Sequence, residues 1–127
     1  MGNFVHLHVH TEYSILDGAT KIAVAAKKAK ALGMPALAIT DHGNMYGAVN
    51  FFDACEKEGI KAIIGTEFYV CDDHAEKTGK PKLRHLVLLC KNEEGYKNIS
   101  LLNAIAFRDG FHYKPRIDLK TLAEHHE

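Results

Sequence analysis

Apolar and polar positions alternate singly through residues 4–10, FVHLHVH, so an extended segment would put Val5, Leu7 and Val9 on one face and His6, His8 and His10 on the other. This predicts a first strand. The period lengthens in TKIAVAAKKAKALG, where Ile22, Ala25, Ala26 and Ala29 form a helical stripe with lysines outside it and Gly33 at the stop. The short apolar run PALAIT (Pro35 to Thr40) reads as a buried strand that empties into Asp41-His42-Gly43. AVNFFDACEKEG returns to helical spacing through Val49, Phe52 and Cys55/Glu56, ends at Gly59, and IKAIIGTEFYV resumes strand character. Strand, helix, strand, helix, strand is the rhythm of a parallel sheet, and the expected class is α/β.

After Glu67 the rhythm changes. CDDHAEKTGKPKLR is polar, with Gly79 and Pro81, and RHLVLLC (Arg84 to Cys90) is another strand, so a long hairpin is predicted. NEEGYKNISLLNAIAF carries Tyr96, Ile99, Leu102 and Ile105/Ala106 at helical spacing, GFHYKPRID reads as a loop, and LKTLAEHHE begins a last helix. No repeat or low-complexity tract divides the chain, and 127 residues at 46% hydrophobic content suit one domain or a piece of one.

Charge narrows the partners. Sixteen Lys and Arg balance sixteen Asp and Glu, so any polyanion must be held by local ligands rather than by a global field. Three cysteines, Cys55, Cys71 and Cys90, are odd in number and include no CxxC, which excludes a disulfide framework and implies a reducing, cytoplasmic setting. The opening MGNFVHLH lacks the features of a secretory signal, and no apolar run approaches a membrane span, so no membrane partner is expected.

Three histidines in register, followed by Asp17-Gly18, are hard to explain by packing. With them stand His42, Glu67 and His85, so that His8, His10, Asp17, His42, Glu67 and His85 form a candidate ligand set. Its first members lie near the C-terminal ends of successive strands, where loops converge on ligands, and a returning hairpin would bring His85 to the same edge as Glu67. Mixed imidazole and carboxylate ligands suit zinc, manganese or iron, and six exceed the needs of one ion. Ions ~3.5–4 Å apart clamp the attacking and leaving oxygens of a phosphate ester and activate water, so phosphoester hydrolysis is the matching reaction class.

Asp41 and His42 are the candidate catalytic pair. Asp41 either orients a water or a ligand imidazole, or is a turn residue before Gly43. Lys77, Lys80, Lys82 and Arg84 read as a solvated hairpin, and Lys114 and Arg116 in YKPRID are the better candidates for DNA phosphate contact. Tyr13, Tyr46 and Phe68 read as walls of the site, and His74, His112, His125 and His126 as surface histidines.

HLHVHTEYSILDG, AITDHGNMYGAV, GIKAIIGTEFYV and RHLVLL, in this order, resemble the PHP (polymerase and histidinol phosphatase) domain. EYSILDGA, KNEEGYKNISLL and GFHYKPRID are similar to the form that opens the alpha subunit of bacterial DNA polymerase III. The resemblance implies a distorted TIM-like barrel of seven strand-helix units holding two or three divalent ions, zinc or manganese. His6 stands where other members often carry Asp. Such barrels usually take ~250 residues. Residues 1–127 are therefore expected to be the N-terminal part of a PHP domain, without its later ligands or the polymerase domains.

The function implied is that of a replicative polymerase subunit whose PHP site is a metal-dependent phosphoesterase, a 3′–5′ exonuclease, with DNA and other replicase subunits as partners. The alternatives are a non-catalytic scaffold and a stand-alone phosphatase of the histidinol-phosphatase type. Lacking the later strands and ligands, the isolated chain is expected to bind metal weakly, to be inactive, and to pair as a homodimer.

Overall fold

Strand β2, Lys61–Cys71, organises the molecule, because its eleven residues outlast any single neighbour and so change partners along its length. The computed structural model describes residues 4–126. Helix α1 (Ile22–Ala31) leads to β1 (Ala36–Ile39), α2 (Ala48–Glu58), β2 and β3 (Arg84–Leu89), then α3 (Glu93–Arg108), β4 (Arg116–Asp118) and α4 (Leu119–Glu124). Strand β1 runs parallel to the start of β2, from Ala36 opposite Lys61 to Ile39 opposite Ile64. Strand β3 returns antiparallel on the other edge, from Gly65 opposite Leu89 to Val70 opposite Arg84. Strand β4 takes up the edge that β1 leaves, parallel to Tyr69–Cys71.

Two cores follow. Ile22, Ala26, Leu37, Ile39, Phe51 and Cys55 pack α1 and α2 against β1. Phe68, Val70, Ile99, Leu102, Ala106 and Ile117 pack α3 against β2 and β4. Since strand side chains alternate, burying Phe68 and Val70 under α3 turns Glu67 and Tyr69 to the opposite face. That face carries the candidate site.

Several expectations need correction. Residues 4–10 lie beside β1, with bonds from the Ala38 amide to the His6 carbonyl (3.0 Å) and from the Thr40 amide to the Val9 carbonyl (2.8 Å), but they form no regular strand. Without a ladder the strict alternation of faces is not enforced. His6 lies with Val9 over α1, and Leu7 is exposed. In α2 the buried stripe is Ala48, Phe51 and Cys55, while Val49 and Phe52 open onto an apolar cleft of about 730 Å³ shared with Leu7, Ile63, Leu89 and Tyr96.

The supposed loop GFHYKPRID contains β4. Its first residue, Arg116, is only 2% exposed. The guanidinium donates to the carbonyls of Gly110 (2.8 Å), His74 (2.9 Å) and Glu76 (2.9 Å), so it fastens the hairpin loop to the sheet and is not a DNA contact. Such an arginine is anchored by its donors rather than solvated.

The same region makes Asp118 a hub. Its carboxylate caps α4 through the Thr121 amide and hydroxyl (both 2.8 Å) and pairs with His74 Nδ1 at 2.6 Å, so His74 is not the free surface histidine that its sequence context suggests. Burial alone would raise the Asp118 carboxyl, but hydrogen bonds from Thr121 and His74 outweigh it and hold the group well below the usual carboxylate range. A depressed folded pKa gives stability that is complete above the unfolded value and lost as pH falls toward the folded one. Asp118→Ala is thus expected to cost about 1–2 kcal/mol at neutral pH. The difference from wild type should shrink below about pH 4, and urea denaturation at pH 7 and pH 3.5 checks it. Among the described residues no helix is long and apolar enough to cross a membrane.

Candidate metal centre

The site grows from the two ends that β1 and β2 present to each other. Beyond β1 the chain makes one more parallel bridge, His42 to Glu67, with the Gly43 amide donating to the Glu67 carbonyl (2.9 Å) and the Glu67 amide to the Asp41 carbonyl (3.0 Å). Gly43 has φ +61, and a Cβ there would meet Pro115 at 2.9 Å and the Tyr69 ring at 3.2 Å, so the turn admits only glycine.

Asp41 is directed at the loop of residues 11–18. It is 1% exposed, and its carboxylate accepts from the Thr11 amide (2.6 Å), the Thr11 hydroxyl (2.7 Å) and the Ser14 hydroxyl (2.7 Å). Both carboxylate oxygens are committed to the first loop. Asp41 therefore positions that loop: it is more than a turn residue before Gly43, and the partners of its carboxylate are Thr11 and Ser14 rather than a ligand imidazole. Ser14 Oγ also accepts from the His42 amide at 3.1 Å, tying the loop to the second motif. Gly18 closes it: a Cβ would stand 1.8 Å from the Thr11 carbonyl oxygen.

With the loop held, six side chains converge. Glu67 is nearly buried and receives His8 and His10 on Oε2, the latter at 2.6 Å, and His85 on Oε1 at 2.5 Å. In register Tyr69 opposes His85 and Glu67 opposes Val87, so His85 reaches Glu67 across the hairpin diagonal. His42 Nε2 lies 2.9 Å from Asp17 Oδ2, and its ring centroid is 4.0 Å from that of His10. Tyr69 stacks on His42 at 5.7 Å with a 15° interplanar angle and fixes its plane. Asn44 braces the turn by donating to the His42 carbonyl at 2.9 Å.

These residues form three overlapping triads, His8-His10-Glu67, His10-Asp17-His42 and His42-Glu67-His85, each with ligand atoms within 4.8 Å of one another. His10, His42 and Glu67 each belong to two. Burial alone would raise the Glu67 carboxyl, but hydrogen bonds from His8, His10 and His85, helped by the charge of His42, bring it down to about 2. The group stays an anion. His42 Nδ1 is buried with no hydrogen-bond partner and lies 3.8 Å from Glu67 Oε1. A lone pair left so in protein costs free energy that a cation would recover. The donor set fits divalent ions of the kind that imidazole and carboxylate select.

All six predicted ligands are together, and His6 is outside the set. Lys114 lines the adjoining cavity of about 540 Å³ with His42, His85 and Asp17, its Nζ 5.5 Å from the centre of the Tyr69 ring. Phe68 is core rather than wall. Thr11, Ser14, Asn44 and Tyr69 were not foreseen. The signal for Tyr69 was available, since it stands two residues after Glu67 on one strand and so shares its face.

The family model described as PHP domain matches residues 6–127. Among curated relatives, DNA polymerase III subunit alpha of Helicobacter pylori (strain ATCC 700392 / 26695) is 52% identical over 123 residues, 96% of this chain and 10% of its own length. The Treponema pallidum protein of the same description is 50% identical over 129 residues, 98% of this chain and 11% of its own length. The chain thus spans about a tenth of the relatives it matches. Two solved structures share the fold. A candidate metal-dependent phosphoesterase from Bifidobacterium adolescentis aligns with TM-score 0.53 and 22% identity over 82% of this chain and 35% of that one. An amidohydrolase from Chromobacterium violaceum, with bound sulfate and no metal, aligns with TM-score 0.55 and 22% identity over 82% and 34%. The mixed sheet is accordingly that of part of a TIM-like barrel. With the family model matched from residue 6 to residue 127 over a strand-end cluster of four histidines and two carboxylates, the chain belongs to the PHP domain family.

Proposed function

We propose that residues 1–127 are the opening part of a PHP domain that hydrolyses phosphodiester bonds at the 3′ end of DNA, within a cytoplasmic replicase alpha subunit that works with other replicase subunits. The observation that carries this reading is the overlap of the three triads on His10, His42 and Glu67, which suits adjacent cations sharing ligands. His8, His10, Asp17, His42, Glu67 and His85 would hold two or three divalent ions, zinc or manganese. Such ions supply Lewis acidity toward phosphoryl oxygens and an activated water. The chain's own residues do the rest. Tyr69 keeps the His42 ring in plane, Asp41 and Ser14 hold the loop that carries Asp17, and Lys114 offers a cation to phosphate from inside the cavity. Hydrogen-bonded supports of this kind set the orientation of ligand side chains.

The scaffold alternative predicts the same ligands without turnover. Metal removal separates the two readings. Chelating the full-length protein should abolish release of nucleotides from a 3′-labelled oligonucleotide, and restoring zinc or manganese, followed by elemental analysis, should return activity in step with bound metal. Unchanged degradation by a metal-free preparation would refute the assignment, and stoichiometric metal without any degradation would favour the scaffold.

A further inference from the structure

The mouth of the metal centre continues into a row of exposed aromatic rings. Tyr46, in the turn before α2, lines the same cavity as His42, His85 and Lys114. Its ring centroid lies 6.5 Å from that of Phe107, in the last turn of α3, and Phe107 lies 6.2 Å from Phe111, in the loop that follows. The interplanar angles are 45° and 29°. The three rings are 63%, 41% and 49% exposed.

Packing among the described residues does not account for this row. Helix α3 buries Ile99, Leu102 and Ala106 against the sheet, and neither Phe107 nor Phe111 belongs to either core. Exposed aromatic rings brought together from two stretches about sixty residues apart in sequence form a surface for flat, apolar partners. The neighbouring Arg108 is engaged by Asp109 at 2.6 Å, so the row itself is apolar and the available cation, Lys114, lies at its cavity end.

We propose that Tyr46, Phe107 and Phe111 form a stacking track for single-stranded nucleic acid whose 3′ end enters the metal centre. The proposal rests on the phosphoesterase reading for its direction: Tyr46 receives the base nearest the reacting phosphate, and Phe107 and Phe111 receive those before it. Ring spacings of 6.2 and 6.5 Å exceed the ~3.4 Å per nucleotide of a stacked strand. The bound strand must therefore be drawn out with its bases separated, which a duplex does not allow. Every base has a π-face, so the track is tolerant of sequence.

The test uses the full-length protein with two probes, a single-stranded oligothymidylate carrying 5-iodouracil near its 3′ end and the small diester bis(p-nitrophenyl) phosphate. Irradiation should crosslink the oligonucleotide to Tyr46, Phe107 or Phe111, as mapped by mass spectrometry. The double variant Phe107→Ala with Phe111→Ala should lose the crosslinks at positions 107 and 111 and raise KM for the oligonucleotide at least about tenfold. Its kcat/KM for the small diester should stay at the wild-type value, which also shows that the variant is folded. Phe107→Tyr with Phe111→Tyr should restore the wild-type KM, because tyrosine stacks as phenylalanine does.

An unchanged KM in the alanine variant, or crosslinks confined to other residues, would overturn the track. Hydrolysis of the small diester with no crosslink on the row would reject the track and keep the phosphoesterase reading. Crosslinks on the row with neither substrate hydrolysed would do the reverse.

Discussion

Replacing His42 with alanine is expected to lower the proposed 3′–5′ exonuclease rate of the full-length protein more than about 100-fold, because loss of even an outer supporting group of a metal site commonly costs 10- to 100-fold. His42 belongs to two of the three triads, and its unpartnered Nδ1 is the buried atom most in need of a cation. The fold should survive the change. The amide of residue 42 keeps its bond to Ser14 Oγ and the local bridge to Glu67 is made by backbone, so neither depends on the imidazole. Nucleotide incorporation should stay within severalfold of wild type, since polymerisation is proposed to lie in later domains. Parallel 3′-degradation and primer-extension assays decide the matter: equal loss of both activities points to a scaffold, and full exonuclease retention removes His42 from the ligand set.

Asp41→Ala should act through stability. Three donors now satisfied by one buried carboxylate would be left facing an apolar methyl, and the Thr11 amide has no freedom to turn elsewhere. Hydrogen bonds to charged groups are worth ~1.5–3 kcal/mol, and abandoned buried partners add to the loss, so a cost of about 3–4 kcal/mol is expected. For a domain of this size that is a fall of roughly 10–15 °C in melting temperature. Asp41→Asn, which keeps one acceptor for the Thr11 amide, should lose about half as much. If Asp41 instead touched the reacting groups, the asparagine variant would melt like wild type yet be inactive, and calorimetry beside the exonuclease assay distinguishes the two.

How much of this was legible depended on which force fixed each residue. The convergence of the six candidate ligands could be read because they sit at strand ends and a hairpin, where the period of two and the direction of the chain decide neighbours. The regular strand expected for residues 4–10 failed because alternation in sequence does not supply a pairing partner, and those residues bond to β1 at scattered points. The face of α2 was misjudged by one position: Val49 and Phe52 have the right spacing, but so do Ala48, Phe51 and Cys55, and only the sheet chooses between them. Arg116 and Asp118 looked like loop residues because a three-residue strand has too little pattern to announce itself. Their ties to the hairpin loop come from contacts with residues about forty positions away, which no local window contains.

The irregular attachment of residues 4–10 has a consequence for occupancy of the centre. This segment is tied to β1 through the His6 and Val9 carbonyls and to β2 through His8 and His10 on Glu67. A local opening that peels it away withdraws both imidazoles in one event, so the proposed ligand set is complete only in the closed population. Apparent affinity for any ligand is the intrinsic affinity scaled by the competent fraction. An amino-terminal fusion that pulls on these few residues would therefore weaken the centre without altering a single ligand, whereas one that holds them down would strengthen it.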